Sequence, residues 1–186
     1  MGAVPRNRTL LCATIGILAA GMLATNAFSL EGTDGAVRLL TTVPIPGTAK
    51  NTSSGKMYVF DISFVDQATQ TYYLADRSNA VVDVVDARTN KLISQLSAKP
   101  AFKGFSGNNA TSGPNGVVAA FPWLFVTDAN SRVVSIDLRT GNTVSDVSTG
   151  GTPGLRADEL AYDPAGGLLL VVNNADRPVR SPSESE

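Results

Sequence analysis

The sequence predicts an all-β fold made of repeated four-stranded units, and an internal repeat is the main reason. Residues 74–91 and residues 125–142 carry the same succession: an apolar strand, a turn with Asp and Asn, a Val-rich strand ending in Asp, and a Thr-Asn or Thr-Gly hairpin. A third start, residues 163–173, matches residues 66–76 without a gap. The copies are about 40–50 residues apart, which is the period of one β-propeller blade. Sparse aromatic residues and plentiful Gly and Pro also favour short strands joined by tight turns.

Each unit is predicted to form one antiparallel sheet of four strands. The strands are expected near residues 57–65, 71–75, 80–85 and 92–97 in the first unit, and near residues 117–120, 123–127, 132–137 and 143–147 in the second. The Thr-Asn and Thr-Gly pairs suit the positive φ of hairpin turns, and Asp or Asn in the other turns can bond their own backbone. No helix longer than two turns is expected between Lys56 and Val172.

One such unit cannot bury both of its faces, so neighbouring units must stack. We therefore predict a partial β-propeller of about two complete four-stranded blades plus part of a third, after an N-terminal signal helix. The blades are expected at residues 56–98, 114–150 and 157–175, with a leading segment at residues 28–55 and a disordered tail at residues 176–186.

The first 27 residues have the layout of a secretory signal peptide. Arg6 and Arg8 precede an apolar stretch at residues 10–23, and small residues follow at residues 24–27. Cleavage is expected after Ala27, which predicts a secreted or periplasmic protein with no stable membrane anchor after cleavage. The alternative is an uncleaved single-helix anchor, but the stretch is shorter than the ~20 residues that span a bilayer.

Composition narrows the chemistry of the mature chain. Cys12 is the only cysteine and lies in the segment that processing would remove, so neither a disulfide nor a thiolate ligand is expected. Loss of Arg6 and Arg8 leaves 13 of the 15 basic residues against 16 acidic ones, so no attraction to nucleic acid is expected. The chain has no histidine, which excludes Ser-His and Cys-His nucleophile pairs.

Residues 74–91 and 125–142 resemble the repeats of the YVTN-type β-propeller family, which includes YncE-like secreted propellers. The resemblance covers residues 56–175 loosely and implies a fold rather than a function, because propellers serve as enzymes, receptors and scaffolds. Propellers close with about 4–8 blades, whereas this sequence contains two complete repeats and part of a third. We therefore expect a truncated member of a longer family.

The links between units and the turns between second and third strands should emerge on one face. The insertion at residues 99–115 is long for a compact domain, and long loops are often functional. The candidate ligand-binding residues on this face are Lys99, Phe102, Lys103, Phe105, Asn108, Asp128 and Asn130. The alternative is an inter-blade loop whose two Phe side chains pack against strands. The ligand would be a protein or a small molecule of unknown identity.

A second hypothesis concerns the residues that open the innermost strands. Asn115, Asp158 and Glu159 look like the divalent-metal ligands of gluconolactonase-type propellers, in which oxygen ligands hold Ca²⁺ and the metal polarises a lactone carbonyl. This resemblance implies a metal-dependent lactonase or hydrolase with Ca²⁺ or another divalent cation as cofactor. Asp86 and Asp137 recur once per unit and are expected to cap their own turns.

The sequence thus favours an exported propeller-repeat protein that acts as a binding or interaction module, without an assigned catalytic residue and without a cofactor. The metal-dependent hydrolase is the alternative, and a fragment of either is a third reading. The Leu- and Val-rich strand at residues 168–172 has no third-strand partner in this pattern. An unpaired edge of this kind predicts self-association.

Overall fold

The structure is a computed structural model, and it describes residues 37–176. The chain divides into two compact units, Met1–Leu40 and Thr41–Glu186. The first contributes only residues 37–40 to the described part, without regular secondary structure. The predicted signal helix and residues 177–186 of the predicted tail lie outside the described residues. Within residues 37–176, no helix is long and apolar enough to cross a membrane.

Ten strands form two four-stranded sheets and one hairpin, all antiparallel. The first sheet contains β1 (Ser63–Asp66), β2 (Thr71–Asp76), β3 (Val81–Asp86) and β4 (Lys91–Leu96), in that spatial order. The second sheet contains β5 (Val117–Ala120), β6 (Trp123–Asp128), β7 (Arg132–Asp137) and β8 (Asn142–Ser148). The third unit is a single hairpin, in which β9 (Leu160–Asp163) pairs with β10 (Leu168–Val171), and we call it the third hairpin. This confirms the predicted all-β class and the partial propeller of two complete blades and part of a third.

The repeated sequence forms the same turns in successive units. Asp66 and Asp163 each accept a hydrogen bond from the backbone two residues later, both at 2.9 Å. Asn90 and Gly141 take the positive φ that their hairpins require, 54° and 71°. Asp86 accepts from the Arg88 N–H at 2.8 Å, and Asp137 accepts from the Arg139 N–H at 2.9 Å, which confirms that both cap their own turns.

The hydrophobic core lies between the first and second sheets. On the first sheet, Tyr73, Val82 and Val84 point towards the second. On the second sheet, the buried residues of the same core cluster are Val117, Ala119, Leu124, Val126, Val134 and Ile136. Strands that are apolar on both faces can pack against a neighbour on each side, as the Val-rich repeats predicted.

The first strand is shorter than expected. Its ladder begins at Ser63 rather than near residue 57, although the Asp61 N–H still donates to the Ala75 carbonyl at 2.9 Å. Upstream, the N–H groups of Tyr58 and Val59 donate to Ser78 Oγ at 2.9 and 2.8 Å. The segment therefore leaves the sheet because the Ser78 hydroxyl, in the turn after β2, takes over its backbone hydrogen bonds.

Candidate functional site

Three polar residues occupy the same position in the three units, two residues before the first strand of each. They are Asp61, Asn115 and Asp158. Their N–H groups donate to equivalent carbonyls at the end of the second strand, those of Ala75, Thr127 and Val172, at 2.9, 2.9 and 2.8 Å. The repeat therefore brings three oxygen-bearing side chains to one end of the stacked sheets.

Arg77 joins the first two of these positions. It follows β2 and is only 3% exposed. Its Nε and Nη2 donate to Asn115 Oδ1 at 3.1 and 2.7 Å, Nη2 also pairs with Asp61 Oδ2, and Nη1 donates to Asn109 Oδ1 at 3.4 Å. Every nitrogen of the guanidinium thus has a protein acceptor, which holds the side chain rigidly between two sheets.

Arg156 extends the same network to the third hairpin. Its Nη1 lies 3.3 Å from Asp61 Oδ2 and its Nη2 lies 2.8 Å from Asp158 Oδ2. Its Nε donates to Asn174 Oδ1 at 3.3 Å, and Asn174 Nδ2 donates to the Asp158 carboxylate. Two guanidinium groups and two carboxylates therefore link all three units at this end of the stacked sheets.

The two guanidinium groups and the two carboxylates of this network carry equal and opposite formal charges. Burial and, to a lesser extent, the nearby Arg156 charge lower the pKa of Arg77 to about 10, although the Asp158 charge opposes both. Arg77 is still charged at neutral pH. Asp158 Oδ1 has no hydrogen-bond partner among the residues that the structure describes, although the side chain is buried.

Beside this ion network lies a pair of exposed aromatic rings. Tyr58 is 41% exposed and Phe105 is 38% exposed, and their rings meet edge to face with centroids 5.8 Å apart. The backbone on both sides is anchored to the Arg77–Ser78 turn: the Phe105 N–H donates to the Arg77 carbonyl at 2.9 Å, and Tyr58 N–H donates to Ser78 Oγ. We call Tyr58 and Phe105 the aromatic rim.

Two of the predicted ligand residues are buried. Phe102 is 3% exposed and belongs to the core cluster. Asp128 is 1% exposed and pairs with Arg132 Nη2 at 2.6 Å and with Arg132 Nε at 3.0 Å. It also accepts from the backbone N–H of Lys103 at 3.2 Å. Both side chains therefore hold the insertion at residues 99–115 against the second sheet.

The other predicted ligand residues are exposed. Asn108 caps the short 3₁₀ turn at Asn109–Thr111, because its Oδ1 accepts from the Ala110 N–H at 2.9 Å. Asn130 has a φ of 68° in the turn between β6 and β7. Lys99 and Lys103 extend into solvent. Of this set, Phe105 alone belongs to the aromatic rim.

The proposed metal ligands Asn115 and Asp158 do come to one end of the fold, but one oxygen of each side chain is already engaged by a guanidinium group. Asn115 Oδ1 accepts from Arg77, and Asp158 Oδ2 pairs with Arg156. Glu159 is exposed. In residues 37–176, no group of three or more His, Cys, Asp or Glu side chains could hold a metal ion. Two cations at this point disfavour a third, so the donor set fits Ca²⁺ poorly.

Sequence reasoning did not identify Asp61, Tyr58, Arg77 or Arg156. Asp61 had a usable signal, since it precedes its strand by the same two residues as Asn115 and Asp158. Arg77 and Arg156 lie in a turn and in a link that were predicted to share the candidate face. Nothing marked these two side chains themselves, because the equivalent of Arg77 in the second unit is Ala129 and the links before the strands differ in length. Their role depends on contacts between residues far apart in the chain.

No protein-family model matches the chain, and no curated protein matches it. Among solved structures it is similar to hydrazine synthase of Kuenenia stuttgartiensis, at 17% identity and a TM-score of 0.46, over 75% of this chain and 32% of that one. It is also similar to apo AztD from Citrobacter koseri, at 16% identity and a TM-score of 0.41, over 50% and 24%. A third is the computationally designed protein Ika8, at 11% identity and a TM-score of 0.42, over 63% and 31%. The chain spans about a third or less of the length of each.

Proposed function

We propose that this protein is an exported binding module built from propeller repeats of the YVTN type. Its sequence repeats support this assignment, and the two stacked four-stranded sheets with a third hairpin support the propeller-like fold. The predicted signal peptide supports export, and N-terminal sequencing of exported protein is expected to begin at Phe28. Recovery of intact Met1 from that fraction would contradict the proposed cleavage.

The aromatic rim is the observation that carries the binding role. Tyr58 and Phe105 are large, partly exposed and held from behind by backbone hydrogen bonds to a buried turn. Rigid aromatic side chains bury apolar area at a small cost in conformational entropy, and aromatic and Arg residues are enriched in protein interfaces. Arg77 and Arg156 make the support rigid, because their guanidinium groups are fixed by protein acceptors.

The neighbouring charges define which ligands suit this surface. Asp61 is the more exposed acid of the ion network, with 24% of its side chain accessible, and 17% of the Arg156 side chain is accessible. The accessible charges therefore include one of each sign. A partner with an apolar group for the rim and uncharged polar groups around it fits better than a polyanion such as nucleic acid.

A peptide-display selection on the immobilised full-length protein tests this proposal. Binders enriched on the native protein should lose at least tenfold in affinity on Tyr58→Ala and Phe105→Ala, because each change removes one of the two rings. Phe121→Ala is the matched control, since Phe121 is 64% exposed and lies in the turn between β5 and β6. Enriched binders that respond equally to all three variants would contradict a binding role for the rim, and so would a selection that enriches none.

A further inference from the structure

A second surface lies between the second sheet and the third hairpin. The hairpin covers only part of the second sheet, where the Tyr162 ring stacks on Phe125 with centroids 5.5 Å apart. Beyond β10 a groove of about 450 Å³ remains open. It is lined mainly by Phe125, Val133, Ser135, Val147, Leu169 and Val171. Ser145 and Thr149 also line it, so the groove is uncharged and presents both apolar side chains and hydroxyl groups. Strands β7 and β8 form its floor.

One wall of this groove is an unpaired strand edge. Within residues 37–176, β10 pairs only with β9. The Val172 N–H donates to the Glu159 carbonyl at 3.0 Å, and the Val172 carbonyl accepts from the Asp158 N–H at 2.8 Å. Because backbone groups alternate sides along an antiparallel strand, those of Leu169 and Val171 point away from β9. In the described part of the chain, unpaired donors and acceptors therefore lie along the edge of this groove.

The molecule shows elsewhere how such a position is filled. In the second sheet, β7 pairs antiparallel with β6 and lays Val134 and Ile136 against the first sheet. Both side chains are fully buried. Among residues 37–176, no strand takes the equivalent position beside the edge of β10 and over β7 and β8. The groove thus continues the stacking interface already present between the second sheet and the third hairpin.

We propose that this groove binds an extended peptide segment, which pairs antiparallel with β10 and lays alternate side chains on β7 and β8. Main-chain hydrogen bonds to Leu169 and Val171 would supply affinity, and the groove would select the side chains. Every second residue of the segment should be uncharged and of Val or Ile size, because the floor carries Val and Ser. Thr149, which lines the groove, donates from its Oγ1 to Asn173 Oδ1 at 2.7 Å. We expect a bound segment of about four to six residues, the length of an ordinary strand.

A second copy of the chain does not fit as the occupant. Antiparallel pairing of two β10 edges requires a two-fold axis perpendicular to the hairpin sheet. That axis would place the second sheets of both copies in one layer, because each extends beneath the other copy's hairpin. A parallel two-fold pairing would set identical backbone groups opposite one another and leave them unbonded. An extended segment without its own stacked sheet meets neither obstacle.

The test uses the full-length protein and a labelled six-residue peptide, Thr-Val-Val-Ser-Ile-Thr, which is the sequence of β7 with Thr in place of its two charged end residues, so that neither alternate set of side chains is charged. Fluorescence anisotropy should show saturable binding, and Val147→Asp should weaken it at least tenfold because it places a charge on the floor. Val65→Asp is the matched control and should leave binding unchanged, since Val65 is 50% exposed on β1 and Val147 is 58% exposed. Hydrogen exchange should show new protection at the amides of Leu169 and Val171. Tyr58→Ala should not alter binding, which separates this site from the aromatic rim.

Five results would overturn the proposal. The first three are no binding, an equal loss of affinity with Val147→Asp and Val65→Asp, and binding that survives N-methylation of each of the two alternate sets of peptide amides in turn. The fourth is binding that appears only after deletion of residues 177–186, which would make that segment the occupant. Peptide binding that merely dissolves a concentration-dependent dimer would likewise make a second copy the occupant and contradict the two-fold argument.

Discussion

At the level of single residues, equivalent acids in the two complete sheets meet different partners. Asp128 ends β6 and pairs with Arg132. Asp76 ends β2 but accepts hydrogen bonds from Asn79, whose N–H lies at 3.1 Å and whose Nδ2 lies at 2.5 Å. Asp83 lies beside Asp76; both are fully buried, and Asp83 Oδ2 has no partner among the described residues. Burial and, to a lesser extent, the Asp76 carboxylate raise the pKa of Asp83 to about 7, although a hydrogen bond from Gln95 opposes the rise.

We expect this carboxyl group to make stability fall with rising pH. Because its folded pKa lies above the ordinary value of 3.8, the folded state binds the proton more tightly than the unfolded state. The contribution is complete below about pH 4 and is lost as pH rises through about 7. Asp83→Asn, which is neutral at every pH, should therefore remove a fall in unfolding free energy of the order of 1–3 kcal/mol between pH 5 and pH 8. Urea unfolding at pH 5, 6, 7 and 8 measures the difference.

Asp86→Asn provides the comparison for this series. Hydrogen bonds from Arg88 lower the pKa of Asp86 to about 2, so its carboxylate is charged throughout this range. Its variant should differ from the native protein by a constant amount from pH 5 to pH 8. A difference in unfolding free energy that is also constant for Asp83→Asn would show that Asp83 does not lose a proton between pH 5 and pH 8, and would contradict the raised pKa.

At the level of elements, the strands and turns were predictable and their connections were not. Local features sufficed for the second and third strands: Val-rich alternation, Asp at strand ends, and Asn90 or Gly141 at positive φ. The start of β1 was wrong by about six residues because the Ser78 hydroxyl, 20 residues away from Tyr58, takes its backbone hydrogen bond. Contacts of such separation leave no periodic trace in a sequence, and the same reason hid Arg77 and Arg156 from the candidate site.

The link into the second sheet depends on one glycine. Gly113 bridges to Gly104 and lies directly against the Asp128 carboxylate, so a methyl group there would overlap that carboxylate. We expect Gly113→Ala to break the buried Asp128–Arg132 pair and to destabilise the fold by about 2–5 kcal/mol. Gly107→Ala is the control: its φ of 87° is unfavourable for Ala, at about 1–2 kcal/mol, but its surroundings are open. Equal denaturation midpoints for the two variants would show that Asp128 is free to move and is not held as part of the structure.

At the level of the whole molecule, apolar burial is uneven across the three stacked units. The core cluster lies between the first and second sheets together with Ala98 and Phe102 of the following link. In the third hairpin and its flanks, residues 159–176, no residue is buried. The hairpin is held mainly by the Phe125–Tyr162 stack and by the polar contacts of Arg156, Asn173 and Asn174. We therefore expect it to be the first part to open, since local stability follows local burial.

The exposed faces of the first and third units lead to the last prediction, which is self-association of the mature chain that the proposed cleavage would produce. Leu168, Leu170 and Val172 are 59%, 67% and 50% exposed on the outer face of the hairpin, and Val65 and Ile93 are 50% and 59% exposed on the first sheet. Apolar area that repeat units leave exposed favours association. Because edge-to-edge pairing about a two-fold axis is obstructed, we expect contacts through these faces. Light scattering should show a mass that rises with concentration, and the double variant Leu168→Lys, Leu170→Glu should reduce it, while Val144→Asp on β8 should not. A compact monomer with one cooperative thermal transition at every concentration would contradict this, because it would mean that the apolar faces are not sites of association.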